Sequence, residues 1–318
     1  MSKRIVIMGE CMVELFQLVD NVYHQNFAGD VFNTAVYLKR TCEVPLDVQF
    51  FTAVGTDRIS DKLVRAVERE KIDTKLMLRS KTTRPGLYMI NTDAFGERSF
   101  VYWRDNSAAK QVMQCYSAQS NYEALKGCDM FYFSGITLAI LSDADRTTLF
   151  TLVEQLKQDG SQIVFDPNYR PALWPDSDTA KAAFIQAYRL ADVALPGLDD
   201  HKVLFEAERT DQVVEQLTEL GVAEIIVKDG KNGINGRFEQ TCFTAMAHPV
   251  KTVVDTTAAG DSFNGGYLAA RLGGIAPQHA VKFAARLAGF VVEHTGAIVS
   301  KEHFNGFWAK HRPSNFVK

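Results

Sequence analysis

The sequence predicts an α/β fold: a mostly parallel sheet covered by helices on both faces, carrying a small β appendage. Short apolar runs rich in β-branched and aromatic residues alternate with longer amphipathic segments. Ile5–Met8, Met130–Phe133, Ile163–Phe165, Val193–Leu195 and Glu224–Val227 are compact enough to be buried strands. Between them, Leu149, Leu152, Val153 and Leu156 recur at helical spacing, and Gly160 stops the chain before the next strand. Alternation of this kind builds a parallel sheet with helical layers.

The stretch from Pro85 to Arg104 breaks the rhythm. It reads as two strands, Leu87–Ile90 and Ser99–Arg104, around the turn-rich centre Asn91-Thr92-Asp93-Ala94-Phe95-Gly96. With strand-like residues at Glu14–Val19 it forms a lid, drawn from about 12–30 and 85–106. Alternate strand residues share a face, so Tyr102 and Arg104 point together and Tyr88 faces the same way from the partner strand. A plain surface hairpin with amphipathic aromatics fits the same pattern. No linker, low-complexity tract or internal repeat divides residues 1–318, which read as a single domain.

Composition narrows the function. The 318 residues are 46% hydrophobic and 23% charged with a net charge of −3, ordinary for a globular protein. Lys and Arg form no basic block, so the expected partners are small molecules, not nucleic acid or a membrane surface. Cys11, Cys42, Cys115, Cys128 and Cys242 are odd in number and widely spaced, as reduced thiols in a cytoplasm would be. The apolar run at the N-terminus is too short for a signal peptide. The longest apolar stretch, Phe131–Leu141, is interrupted by Ser134, Gly135 and Thr137.

Several chemistries fall away on motif. No two glycines stand as G-x-G, so the dinucleotide fingerprint is missing and an oxidoreductase on a doubly wound sheet is disfavoured. Gly230-Lys231 resembles the end of a phosphate loop, but Ile225 and Asn232 break that motif. No histidines pair at i, i+4, and Tyr132 stands where a hydrolase elbow needs glycine.

The strongest positive signal is Val253-Val254-Asp255-Thr256-Thr257-Ala258-Ala259-Gly260-Asp261-Ser262-Phe263. A β-branched run gives way to small residues and then to a helix from about Asp261 through Leu272. A turn of small residues opening a helix presents free N–H groups at its positive end, a natural anion site. A carboxylate there repels a phosphate unless it has work to do, and taking the proton of an attacking hydroxyl is such work. An ordinary N-cap aspartate after a turn is the plainer reading.

Asp255-Thr256-x-Ala258-Ala259-Gly260-Asp261-x-Phe263 resembles the C-terminal signature of the ribokinase-like (PfkB) sugar kinases. Ala28-Gly29-Asp30-Val31-Phe32-Asn33-Thr34-Ala35 resembles their N-terminal glycine signature, and with the family's intervening features also present the resemblance covers nearly the whole chain. Gly9-Glu10-Cys11-Met12-Val13-Glu14-Leu15, Pro85-Gly86-Leu87-Tyr88, Gly96-Glu97-Arg98, Tyr102-Trp103-Arg104, Ser134-Gly135-Ile136 and Asn168-Tyr169-Arg170-Pro171 are similar to family members acting on a sugar acid.

The resemblance implies a three-layer α/β/α sandwich with a β-sheet lid, ATP and Mg2+ as cofactors with room for K+, and a homodimer or higher oligomer formed through the lid. It implies Asp261 as general base and an anion hole at Ala258, Ala259, Gly260 and Asp261. Gly29, Asp30 and Asn33 would hold substrate hydroxyls, and Tyr88, Tyr102, Arg104 and Arg170 the acid end. Two guanidinium forks suit a carboxylate and have little use on a neutral sugar. Asn168, Lys228, Gly230, Gly233, Ala259 and Gly260 would lie along ATP, with Ala284, Ala285 and Ala288 on the adenine side.

Three departures from the family pattern stand out. Ala28 and Ala258 replace glycine, and alanine resists φ > 0, so these turns must suit a Cβ. The family's Asn-x-x-Glu metal motif appears as Gly197-Leu198-Asp199-Asp200, leaving Asp200 to hold metal through water. A kinase of a neutral sugar such as fructose or ribose, and a non-catalytic sugar-acid sensor, are the competing readings; the carboxylate at Asp261 speaks against the sensor.

Overall fold

A computed structural model describes residues 2–19, 22–92, 98–119 and 122–313. Residues 93–97, which hold the centre of the expected turn and most of the Gly96-Glu97-Arg98 match, lie outside the described residues.

The strands are, in chain order, β1 (Lys3–Met8), β2 (Met12–Val19), β3 (Val22–Ala28), β4 (Leu46–Val54), β5 (Met77–Arg79), β6 (Leu87–Thr92) and β7 (Arg98–Trp103). There follow β8 (Met130–Ser134), β9 (Gln162–Asp166), β10 (Val193–Ala194), β11 (Glu224–Lys228), β12 (Ile234–Phe238) and β13 (Thr241–Ala245). Among the described residues they form two sheets. The larger runs β13-β12-β11-β10-β9-β8-β1-β4-β5 and the smaller β3-β2-β6-β7. Pairing in the larger sheet is parallel from β5 to β11, and antiparallel only at β11–β12 and β12–β13.

Side-chain alternation divides the core between the faces of the large sheet. Val6, Met8, Phe131, Phe133 and Phe165 join one cluster, covered by the Asp143–Gln158, Ser177–Leu190 and Thr210–Glu219 helices. Ile5, Ile7, Phe50, Tyr132 and Val164 join the other, under the Asp30–Thr41, Ala259–Leu272 and Pro277–Val292 helices. The three-layer sandwich follows.

All five expected strands are present. The reading along the chain missed β4, which lies beside β1 inside the sheet. Asp47 and Gln49 interrupt its apolar run, and the structure shows how they are accommodated: Gln49 Nε2 donates to Asp47 Oδ2 at 3.0 Å. Gly160 follows the end of the Asp143–Gln158 helix at φ 92°, where a side chain would be strained.

The smaller sheet contains the expected hairpin and the Glu14–Val19 strand, joined by β3. β2 pairs with β6 in parallel, Glu14 opposite Tyr88, and β6 pairs with β7 antiparallel, Tyr88 opposite Tyr102. Among the described residues no helix is long and apolar enough to cross a membrane.

Candidate active site

Asp261 lies in the first turn of the Ala259–Leu272 helix, half-buried at the mouth of the sheet. The turn before it is braced by Asp255, whose carboxylate accepts the Thr257 N–H at 3.0 Å and the Gly296 N–H at 2.6 Å. Ala258 caps the helix at φ 61°, ψ 16°. The expectation that this turn avoids positive φ is therefore corrected: the alanine is held in the left-handed region, at a cost that glycine would not carry.

Ala259 N–H donates to Thr256 O at 3.2 Å and is spent in the turn. A helix cannot satisfy its own first-turn donors. Among the described residues the amides of Gly260 and Asp261 are thus left at its positive end.

The Asp30–Thr41 helix brings the other residues of the glycine signature to the same place. Asn33 Nδ2 donates to Asp261 Oδ2 at 2.8 Å, and Thr34 Oγ1 donates to the Asp261 backbone oxygen at 3.3 Å. One turn earlier, Asp30 accepts from Ser134 Oγ at 2.6 Å and from Asn168 Nδ2 at 3.2 Å. Gly29 precedes the helix because nothing larger fits: a Cβ there would lie 2.3 Å from Glu10 O.

Below them runs a network that sequence reasoning missed. Asp166, at the end of β9, accepts from Asn264 Nδ2 at 2.9 Å and lies 3.6 Å from Lys228 Nζ, which donates to Asn264 Oδ1 at 2.9 Å. One signal could have found Asp166. It ends an expected parallel strand at the carboxyl edge of the sheet, where α/β proteins place their sites.

These charges set the electrostatics. Burial first, then the neighbouring Asp30 carboxylate, pushes Asp261 from 3.8 up to about 7; Asp166 adds to this, while the Asn33 hydrogen bond and Lys228 oppose it. Asp30 is raised by burial too, against the pull of the Ser134 hydrogen bond and Arg104.

Lys228, Gly230, Gly233, Ala259 and Gly260 line one cavity of about 610 Å³, closed on its far side by Ala285, Ala288 and Val292. Gly233, at φ 113°, admits the chain where a Cβ would meet Ala245 O at 2.5 Å. Asn168 is not in this lining; it faces Asp30.

The residues expected at an acid end already have partners in the protein. Tyr88 and Tyr102 pack at a tilt of 35° with centroids 5.8 Å apart, and the Arg104 guanidinium lies 5.9 Å from the Tyr102 ring. The Tyr88 hydroxyl donates to Glu14, and Arg104 pairs with Glu10. Arg170 is exposed, donates to Tyr169 O at 2.9 Å and lies 3.9 Å from Asp200. Burial and Asp166 raise Asp200 to about 6, with Arg170 and Lys228 pulling it down. Among the described residues no three His, Cys, Asp or Glu side chains are gathered to hold a metal by themselves.

A helix N-terminus whose first turn holds a raised carboxylate and borders a cavity at the carboxyl edge of a parallel sheet is an arrangement suited to phosphoryl transfer. The family model for pfkB family carbohydrate kinases matches residues 2–303, and the chain belongs to that family of carbohydrate kinases. It is 37% identical over 314 residues to 2-dehydro-3-deoxygluconokinase of Escherichia coli K12, covering 95% of this chain and 99% of that one. It is 38% identical over 305 residues to the Dickeya dadantii protein of the same name, covering 95% and 98%. Among solved structures, an Escherichia coli protein in complex with ATP and Mg2+ superimposes with a TM-score of 0.81 at 24% identity, covering 98% of this chain and 100% of that one.

The raised Asp261 carboxyl has a consequence for stability. Between the unfolded value near 4 and the folded value near 7, the folded state keeps a proton that the unfolded chain has lost. Stability from this group is full below the lower value and lost as pH rises through the upper one. Asp261→Asn, neutral at every pH, is expected to gain melting temperature over the wild type as pH rises from 5 to 8. Paired thermal melts giving a constant difference across that range would contradict the raised value.

Proposed function

We propose that this kinase transfers the γ-phosphoryl group of ATP to the terminal hydroxyl of 2-dehydro-3-deoxy-D-gluconate, forming the 6-phosphate. The observation that carries the chemistry is the Asp261 carboxylate, raised to about 7 and held by Asn33 beside the Gly260 and Asp261 amides. A base titrating near neutrality suits a hydroxyl proton. The sugar oxygen, as its proton passes to Asp261, forms a bond to the γ-phosphorus, and the bond from that phosphorus to the ADP oxygen breaks. The helix amides face the charge that develops on the transferring group. Asp30 and Asn33 would orient the sugar hydroxyls, and the cavity beside Lys228 would take the nucleotide.

Asp166, Asn168 and Asp200 offer oxygen donors that would hold a Mg2+ ion, in part through water. When bound it neutralises phosphate charge. ATP dependence and five cysteines without disulfide partners support a cytoplasmic reaction.

The named relatives at 37–38% identity support the sugar acid. A second reading, a neutral sugar such as fructose or ribose, is favoured by one observation: Arg104 is already neutralised by Glu10.

The lid also suggests an assembly. Val19, Val22, Tyr23, Phe100, Val101, Tyr102 and Trp103 are exposed on a sheet whose β3 and β7 edges are unpaired among the described residues. We propose that two lids pack together in a homodimer. Light scattering at micromolar concentration should give twice the chain mass, and a monomer there refutes the pairing.

Asp261→Asn should keep the fold and ATP binding and lower kcat by about 10²–10⁴. Near-normal turnover would remove Asp261 from the mechanism. ATP consumption across 2-dehydro-3-deoxygluconate, its galactonate epimer, gluconate, fructose and ribose then separates the two substrate readings. Arg104→Ala and Arg170→Ala should raise KM for the acid roughly 30-fold or more, with KM for ATP nearly unchanged and neutral sugars far less affected. Equal losses on acid and neutral sugars, or a wild-type preference for fructose, defeat the acid assignment and leave the kinase standing.

A further inference from the structure

We infer that Glu10 is the positioning residue for Arg104, and that through this guanidinium it sets the affinity for an acidic substrate. The inference rests on the reading of Arg104 as the acid-binding residue.

The chain passes between the large sheet and the lid at four places, and three of them close on Glu10. Glu10 lies between β1 and β2. Gly29, between β3 and the Asp30–Thr41 helix, approaches so closely that a Cβ would stand 2.3 Å from Glu10 O. Gly86, before β6, leaves room for the side chain: a Cβ there would lie 2.8 Å from Glu10 Oε1 and 3.2 Å from Arg104 Cβ. Arg104 leaves the end of β7 and pairs through Nη2 with Glu10 Oε2. Gly86 thus clears room for the Glu10 carboxylate, while Gly29 lets the chain pass against the Glu10 backbone carbonyl.

The form of the pair differs from that of the two other largely buried arginine–glutamate pairs among the described residues. Arg40 meets Glu70 through two bonds of 2.8 and 2.9 Å, and Arg271 meets Glu224 through two of 2.9 and 2.8 Å. Glu10 and Arg104 share a single prong, although their side chains are only 1% and 10% exposed. Glu10 Oε1 and Arg104 Nε, both buried, have no hydrogen-bond partner. Buried polar atoms left so are costly, and a pair kept for stability alone would close the fork. The one-pronged grip holds the guanidinium by one nitrogen at the junction of body and lid. There its charge reaches the Asp30 carboxyl, among the residues read as holding the sugar hydroxyls.

Removing the Glu10 charge leaves a nearly buried guanidinium without a counter-ion, free to turn towards Asp30 or solvent. Coulomb's law alone predicts the opposite effect on substrate, since losing a negative charge should tighten an anion. The sign of the change therefore decides the question. Glu10→Gln, which keeps the shape, is expected to raise KM for 2-dehydro-3-deoxygluconate about tenfold or more. KM for ATP and kcat should stay close to wild type, while the melting temperature falls, because one partner of a buried ion pair has lost its charge. Glu10→Asp, which keeps the charge but withdraws it by one methylene, should show the same selective rise. In an Arg104→Ala background Glu10→Gln should add less than about twofold, because its effect runs through the guanidinium.

An unchanged or lowered KM for the acid in Glu10→Gln, or full additivity with Arg104→Ala, overturns the proposal. So does a parallel loss of kcat and of both KM values, which marks a purely structural glutamate. If Arg104→Ala itself leaves KM for the acid unchanged, the acid-binding reading has failed, and that outcome is visible without any Glu10 variant.

Discussion

The Asp30–Thr41 and Ala259–Leu272 helices pack with their backbones in near contact, and the site depends on that approach. Gly265 makes it possible: a Cβ there would lie 2.7 Å from both Leu38 N and Thr34 O. Only at this separation can the short Asn33 amide reach the Asp261 carboxylate, and the Thr34 hydroxyl the Asp261 backbone. The two helices come from opposite ends of the chain. Their packing is what turns two separate small-residue motifs into one site.

Around that contact the charge balance is uneven. Asp30, Asp166, Asp200 and Asp261 crowd the carboxyl edge of the sheet, with Lys228 and Arg170 as the nearby counter-charges the structure displays. Burial first, and then the neighbouring carboxylates, raise Asp30, Asp200 and Asp261 above the ordinary carboxylate value. The proposed transfer would draw on both properties, a carboxylate able to take a hydroxyl proton and a negative edge that favours a cation accompanying phosphate. Lys228 spans the two regions, touching Asp166 and Asn264 on one side and lining the nucleotide-sized cavity on the other.

Among the described residues the lid meets this body at glycines, at the Glu10–Arg104 ion pair and at the apolar contact of Met12, Tyr88 and Ile90 with Ala297. Gly29 and Gly86 stand where the chain crosses between the sheets, and the missing side chains admit Glu10 and Arg104 to the same small volume. The aromatic face of the lid, Tyr88 against Tyr102 with Arg104 beside them, is positioned from that junction.

Much of this was legible in the residues. The strands that read as uninterrupted apolar runs, the helix opening at Asp261 and the hairpin that broke the rhythm all carry local signals of burial, turn chemistry or period. β4 was not legible, because Asp47 and Gln49 hide a central strand until their mutual hydrogen bond is seen. Nor was the left-handed Ala258, since alanine there contradicts its own preference and only the surrounding turn holds it. Asp166 looked like the polar end of a strand; burial beside Lys228 and Asn264 gave it a role. The partners of Tyr88, Arg104 and Arg170 were likewise beyond reach, because Glu14, Glu10 and Asp200 meet them only in the folded chain. The sequence by itself determined the layers of the fold and the residue types of the site, because periodicity and helix-start chemistry are local properties. The tertiary structure alone decided which carboxylate faces which cation, because proton affinity and pairing depend on distances between segments far apart in the chain.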